Sequence, residues 1–578
     1  MRSQTARSGA ILGSRPCAPA VTGRTRGEWT TNGCRLTDSP TSRTAVPVTP
    51  DPAAAAALRR DLSDAGYTAD AVRAAWGPLA DEAIGHGLAG PALRALAGAA
   101  SGAGATTAAV ATLARLLFLG APCPAASVEA ALPTAGTAGL TALGLARIEG
   151  DEVVPLALVR PQEYAEARAD GEARADGEAR ADGEARGGQW WIASDLDETA
   201  LGGPLPTGHV LGVGGASLTL AGLQLPTSAA RVLDVGAGCG IQALRARRYA
   251  ADVVATDVSE RALAFTRLNA LLNDVDRVDT RLGSLFSPVA GEQFDRVVSN
   301  PPFVITPRTA GVPEYEYRDG GFAGDDLVAA FVSGVGGVLA PGGVAQLLGN
   351  WEYRDGEDGL DRVRGWVDAS PVPLDAWVVE REQLDPLAYA ELWVRDGGTA
   401  PGTPDYAALV DAWLTDFAAR GVAAVGFGYL LLRRAASGMP TLRRFERITH
   451  ALPEGALGDH LAAALAAHDD LAVLDDEALA GATFVVGGDV TEARHHLPGA
   501  EDPSVIELRQ GGGFARVIEV DPALAALVGA CDGDLPEGVL SDAIAELLEV
   551  DAAALRADLL PRVRELAFTG FLRRAQSE

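Results

Sequence analysis

The sequence predicts an α/β protein built on a doubly wound, mostly parallel sheet, preceded by a helical, winged-helix-like unit and followed by an α+β unit. Three observations predict it. Between about Val232 and Arg434, four short β-branched runs (R-V-L-D-V, D-V-V-A-T-D, F-D-R-V-V-S-N and G-V-A-Q-L-L) alternate with helical stretches such as I-Q-A-L-R-A-R-R-Y-A, Ile241 to Ala250, the pattern of parallel strands joined by crossover helices. Ahead of that region the apolar residues fall at helical spacing, and then two short strands flank a Gly-Asp turn. Finally, one strand of the α/β region ends in Asn300-Pro301-Pro302-Phe303. Proline fixes its own φ and forces the preceding residue to be extended. Asn300 is therefore held rigidly at a strand tip, an arrangement suited to presenting hydrogen-bond acceptors at fixed positions.

The chain has 578 residues, 48% hydrophobic and 22% charged, which fits a soluble globular protein of several domains. All 48 basic residues are arginine and the formal net charge is −29. That balance excludes a general nucleic-acid binder while leaving a local basic patch open. The five cysteines, Cys17, Cys34, Cys123, Cys239 and Cys531, show no C-x-x-C spacing and no histidine at ligand distance. A disulfide framework or zinc site is not expected, no metal is called for, and a reducing cytoplasmic setting fits. No window reaches transmembrane length. Residues 1–50 are rich in arginine without the apolar core of a signal peptide, and read as a disordered tail or an upstream start codon.

Residues 51–162 form the first unit. Helical patterns such as A-V-R-A-A-W and A-V-A-T-L-A-R-L-L-F-L-G precede A-R-I-E-G-D-E-V-V-P, a strand-turn-strand. The candidate recognition helix carries few arginines, which favours a structural or protein-docking role over DNA binding. Residues 163–188 hold a hexapeptide, E-A-R-A-D-G, three times with a partial fourth. A glycine in every copy and nearly cancelling charges predict a disordered insertion. Residues 189–435 are the α/β unit, and residues 436–578 the α+β unit, which ends in two long helical patterns.

In the α/β unit the strand R-V-L-D-V runs into Gly236, Gly238 and Gly240, where backbone can approach a ligand closely. Asp257 ends the next strand, placed to accept both hydroxyls of a ribose. These two features suit any adenosine cofactor. Asp234, inside the first strand, tips the balance: its charge would repel a pyrophosphate and favour a cofactor carrying a cationic centre and an ammonium group.

The D-V-G-A-G-C-G…D pattern, combined with N-P-P-F at the fourth strand, resembles the class I S-adenosylmethionine-dependent methyltransferases over about 200 residues. The resemblance implies a Rossmann-like sheet, with the glycine loop holding the methionine part and Asp257 the ribose. The loop Gly283–Phe286, through Ser284 and Leu285, would flank the adenine, and Asn300 would also border the cofactor. Cys239 is read as a small packing residue, since no partner base is in view.

N-P-P-F resembles the (D/N)-P-P-(Y/F) motif of methyltransferases acting on planar nitrogen. The Asn300 side-chain oxygen and the Pro301 carbonyl can each accept one N–H of a conjugated NH₂. That turns its lone pair toward the methyl group while Phe303 stacks on the acceptor plane. The segment E-Y-E-Y-R-D-G-G that follows resembles the release-factor glutamine methyltransferases, which modify a glutamine in a Gly-Gly-Gln loop. Phe in place of Tyr is common in ribosomal RNA guanine-N2 methyltransferases, so two substrate classes stand side by side: a protein such as a release factor, or RNA or another nucleic acid methylated on a base, at guanine N2 or adenine N6. Arg433, Arg434, Arg443, Arg444 and Arg447 form the one basic cluster; they read equally as a phosphate-contacting patch or as a linker paired with carboxylates. A cofactor-sensing binding protein without catalysis is a further reading, disfavoured by the intact glycine loop, ribose acid and N-P-P-F.

Overall fold

The structure is a computed structural model that describes residues 48–575 apart from 103, 165–187, 203–204, 310–311, 313–317, 319, 454 and 456. Nearly all of the expected N-terminal tail, and nearly all of the hexapeptide repeat, therefore lie outside the described residues.

The N-terminal part opens with helices Pro52–Asp64, Ala69–Trp76, Pro78–Gly85, Gly90–Gly102 and Ala105–Leu113. Strand β1 (Cys123–Pro124) follows, then helices Ala125–Ala131 and Gly136–Ala142, then β2 (Ala146–Glu149) and β3 (Glu152–Pro155). The sheet order is β1-β3-β2, the arrangement of a winged helix. Side-chain oxygens set the helix starts: Asp51 accepts from the Ala54 N–H, and Thr68 from the Ala71 N–H. Next, β4 (Ala157–Tyr164) and β5 (Gly188–Asp195) pair antiparallel, with Tyr164 opposite Gly188.

The centre of the molecule is an eight-stranded sheet. Its strands are β6 (Ala229–Val235), β7 (Ala250–Asp257), β8 (Val278–Leu282), β9 (Phe294–Ser299), β10 (Leu339–Arg354), β11 (Leu374–Leu384), β12 (Val422–Arg434) and β13 (Arg443–Arg447). The order is β13-β11-β12-β10-β9-β6-β7-β8. All neighbours run parallel except β12, which is antiparallel to both β10 and β11. The central strands read as continuous apolar runs because helices or terminal units cover both faces. The chain reverses direction across the sheet between β6 and β9, and both strands end on the same edge. That is the crevice where open α/β sheets bind ligands.

The C-terminal part contains the helix Gly458–Ala472, then β14 (Thr483–Val486), β15 (Val490–His495), β16 (Val505–Gln510), β17 (Val517–Val520), β18 (Asp532–Pro536) and β19 (Leu572–Arg574). Helices Glu537–Leu548 and Ala552–Thr569 join β18 to β19 in a sheet ordered β18-β14-β19. This is again a three-stranded sheet with its middle strand antiparallel to both neighbours. Here, however, the middle strand comes first in the chain, whereas in the N-terminal unit it comes last.

Both terminal parts share cores with the central α/β unit, the N-terminal one through its helices. One apolar cluster runs from Leu58, Leu116 and Val153 to Ile241, Leu244, Phe265 and Leu268 on the central helices. A second joins Leu220, Leu348, Trp377 and Tyr429 to Leu461, Phe514 and Phe568 of the C-terminal part. The Trp377 ring lies 4.7 Å from that of Phe568 and 5.6 Å from that of Phe514.

The basic cluster is consumed by this joint. Arg433 pairs with Asp375 and Asp469, Arg443 with Asp368, Arg444 with Glu446 and Glu565, and Arg447 with Asp358 and Glu380. Arg434 donates to the Leu339 carbonyl at 2.8 Å. Of the two readings of this cluster, the structure supports paired side chains tying β12 and β13 to their surroundings. The expected contact with nucleic acid finds no support, because the guanidinium groups are already engaged.

Candidate active site

The site is built from the ends of β6, β7, β9 and β10. Asp234 lies within β6 and is fully buried, and neither of its carboxylate oxygens has a hydrogen-bond partner. Burial, reinforced by the nearby Asp257 charge, pushes its carboxyl up to about 7; the Ala243 backbone N–H draws it down in part without meeting hydrogen-bond geometry. A buried acid with no partner is costly, and a ligand cation placed beside it would relieve that cost.

The three glycines after β6 divide their work. All have positive φ, at 73° for Gly236, 56° for Gly238 and 84° for Gly240. A Cβ on Gly236 or Gly238 would point into open space, whereas one on Gly240 would strike Thr266 at 2.9 Å. The first two therefore leave room for a ligand, and Gly240 is needed for packing against the helix Glu260–Leu272. Asp257 organises the loop: its Oδ2 accepts from the Gly238 N–H and its Oδ1 from the Ser259 N–H, both at 2.9 Å. Ser284 is exposed, and Leu285 beside it holds a left-handed φ of 48°, a conformation that a leucine seldom adopts outside functional loops.

Cys239 is buried, and burial pushes its thiol up to about 11, which keeps it protonated and inert. Its carbonyl matters more. Asn269, on the helix Glu260–Leu272, donates to the Cys239 carbonyl at 2.8 Å and to the Ala193 carbonyl on β5 at 2.9 Å. Its oxygen accepts from the Ala193 N–H at 2.7 Å. One turn later Asn273 makes the same pair of bonds to Trp191, at 2.8 and 2.9 Å. Two asparagines four residues apart thus pair with an open strand edge, and only Asn269 also reaches the glycine loop. The signal in the sequence was two asparagines at helical spacing, N-A-L-L-N.

These bonds give a test. Asn273→Ala is expected to cost stability alone, about 1–3 kcal/mol. Asn269→Ala is expected to cost as much and also to weaken S-adenosylhomocysteine binding about tenfold, for the loss of about one hydrogen bond. Urea denaturation and calorimetry separate the two effects; equal affinities in both variants would show that the loop does not need the bond.

At the end of β9, Ser299 Oγ donates to the Val235 carbonyl at 2.7 Å, locking the tips of β9 and β6 together. Asn300 follows, and its side-chain oxygen is buried with no partner. Pro301 is buried, Pro302 and Phe303 are half-buried, and the Phe303 ring lies 5.5 Å from that of Phe427. The segment after the motif packs back on it. The Val304 N–H donates to the Arg318 carbonyl at 2.9 Å. A Cβ at Gly320 would meet Pro302 at 2.9 Å, so Gly320 is the residue that lets this segment close on the prolines.

Two unpartnered carbonyl-type oxygen groups, Asp234 and Asn300, thus stand at adjacent strand ends beside a loop with open space. An ammonium-bearing adenosine cofactor fits the first, and an NH₂ donor fits the second. Fold and site together resemble those of the class I S-adenosylmethionine-dependent methyltransferases.

Residues 214–311 match the methyltransferase small domain family, and residues 64–156 match a domain of unknown function (DUF7059). Over 130 residues the chain is 40% identical to the release factor glutamine methyltransferase of Geobacter sulfurreducens, covering 21% of this chain and 45% of that protein. Over 131 residues it is 35% identical to the release factor glutamine methyltransferase of Moorella thermoacetica, covering 21% and 46%. Over 101 residues it is 38% identical to the ribosomal protein uL3 glutamine methyltransferase of Xanthomonas campestris, covering 17% and 33%. The chain spans just under half the length of the first two relatives and a third of the last. Among the described residues, no helix is long and apolar enough to cross a membrane.

Proposed function

We propose that this chain transfers a methyl group from S-adenosylmethionine to the side-chain amide nitrogen of a glutamine in a protein. The observation that carries the reading is the buried, unpartnered Asn300 oxygen at the end of β9, one strand away from the unpartnered Asp234. Similarity to release-factor and ribosomal-protein glutamine methyltransferases supports it, as does the engagement of the basic cluster with carboxylates.

In this reading Asp234 holds the ammonium group, Gly236 and Gly238 leave room for the methionine part, and Asp257 accepts the ribose hydroxyls. Ser284 and Leu285 flank the adenine, and Gly240 acts through packing. The bound cofactor supplies an electrophilic methyl group on a sulfonium centre. Asn300 and Pro301 accept the two N–H bonds of the amide and draw its nitrogen toward tetrahedral geometry, so that its lone pair faces the methyl. Pro302 fixes the turn, and Phe303 stacks on the amide plane. Positive charge developing on nitrogen is met by two preorganised acceptors. No strong base is required, because the methylated nitrogen is itself acidic until it loses a proton.

Label transfer tests the reading. Purified protein, methyl-labelled cofactor and a lysate of cells lacking this protein are combined, and the product is split between ribonuclease and protease. Label that survives ribonuclease and is released by protease, and that maps to glutamine, is the expected result. Label lost to ribonuclease would overturn it in favour of an RNA acceptor.

A further inference from the structure

We infer that Tyr389 is a positioning residue for the methyl transfer: its hydroxyl pins the chain that leaves N-P-P-F to β10 and so sets where the Phe303 ring stands. The inference rests on the glutamine reading above and gives a task to the two helices inserted between β11 and β12.

The prolines fix the turn only as far as Pro302. Phe303 and the residues after it have no such constraint, and the chain from Asn300 to Arg308 belongs to no strand. Its backbone groups therefore need partners outside a ladder. The Val304 N–H donates to the Arg318 carbonyl at 2.9 Å, and the Ile305 N–H donates to the Tyr389 hydroxyl at 3.0 Å. The same hydroxyl accepts a second N–H, from the side-chain amide of Asn350 at 2.5 Å. Burial raises the Tyr389 pKa far above its ordinary value, so the phenol stays neutral while it accepts both.

Both anchors are firmly seated. Tyr389 lies on the helix Pro386–Asp396, its ring 6.1 Å from that of Trp393 on the same helix. On its other sides stand Trp413 and Phe417 of the helix Pro404–Arg420, each with its ring 5.9 Å away. Val304 and Ile305 are buried in the same apolar cluster. Asn350 is buried in β10, directly opposite Phe427 of β12. Directly opposed residues project from the same face of a sheet, and the Phe427 ring packs on that of Phe303.

Phe303 is thus held twice from one wall. Phe427 holds its ring, and Asn350, acting through Tyr389, holds the backbone two residues further on. A stacking ring displaced by about 1 Å is enough to slow transfer by up to about a hundredfold, so a hydroxyl that never touches the acceptor can govern the rate.

The test uses the full chain, S-adenosylmethionine and a peptide containing Gly-Gly-Gln. Transfer at saturating peptide is compared for the parent, Tyr389→Phe, Asn350→Ala, Phe303→Ala and the double variant of Tyr389→Phe with Phe303→Ala, with S-adenosylhomocysteine affinity measured by calorimetry. Tyr389→Phe is expected to lower kcat about tenfold, with cofactor-product affinity within about twofold of the parent. Asn350→Ala keeps the phenol but frees it from β10, and is expected to lower kcat about fivefold. It decides the matter alone if the phenylalanine variant does not fold. In the Phe303→Ala background the loss of the hydroxyl is expected to change kcat less than about twofold, because the ring it places is gone; a purely structural loss would be felt equally in both backgrounds. A folded variant with kcat within twofold of the parent, or a tenfold fall that persists without Phe303, overturns the inference while the glutamine reading stands. A parent that labels oligonucleotides and no glutamine overturns both.

Discussion

Asn300→Ala is expected to bind S-adenosylhomocysteine about as well as the parent and to transfer methyl groups about two to four orders of magnitude more slowly. The size follows from the loss of one preorganised partner at the atom where charge develops, worth about 10²–10³ in turnover elsewhere, together with the lost orientation of the nucleophile. The separation from binding follows from the layout. The groups assigned to the cofactor sit on β6, β7, the loop between them and the loop after β8, whereas Asn300 follows β9 and its oxygen bonds to nothing in the protein. Removing it leaves no other side chain without its partner, so the fold should not suffer. Single-turnover transfer and calorimetry read the two quantities, and a variant as fast as the parent would sink the proposed mechanism.

The second large effect concerns Asp234. Asp234→Asn is expected to weaken S-adenosylhomocysteine binding by about a hundredfold, roughly the loss of one buried charge-assisted contact. The ligand-free variant should nonetheless be the more stable protein at neutral and higher pH. The sign follows from the raised pKa, about 7 against an ordinary 3.8. Between those values the folded state binds more protons than the unfolded state, so the parent's stability falls as pH rises through that window. Asparagine has no proton to lose and escapes the penalty. Melting temperatures of the two ligand-free proteins should converge at the acid end and separate by several degrees above about pH 7. Over the same range the parent's affinity for the cofactor product should rise and then level off as Asp234 ionises, while the variant's stays low and flat. Identical melting profiles would show that the buried carboxyl is not strained.

Much of this site was legible from one dimension because its chemistry depends on rare residues in fixed order. Two prolines after an asparagine, glycines after an acid-bearing strand and an acid ending the next strand leave few physical explanations. The four strand runs read from β-branched alternation all became strands of the central sheet, β6, β7, β9 and β10. The helix after the glycine loop was read to Ala250 but ends at Ala246, because Ala250 already begins β7. Asn269 was missed for a different reason. The bond that ties it to the glycine loop reaches 30 residues back to Cys239, and no local pattern fixes such a partner. Two asparagines a helical turn apart, in N-A-L-L-N, were the one available hint. The arginine cluster failed in the opposite direction: five like charges close together look available until the carboxylates that face them are placed in space.

The cores on the two faces of the central sheet bear on how an acceptor can arrive. The face carrying Val232, Val298, Leu348 and Trp377 is closed by the helix Ile241–Ala246 and the C-terminal helices, and the face carrying Leu233, Val297 and Leu347 by the helices Asp326–Val335 and Gly359–Asp368, so neither broad surface of the sheet is open to a visitor. Access is left to the rim, edge-on, at the tips of β6, β9 and β10. A nitrogen embedded in a flat molecular surface cannot make that approach. One carried on a protruding loop, at the end of a side chain with several rotatable bonds, can.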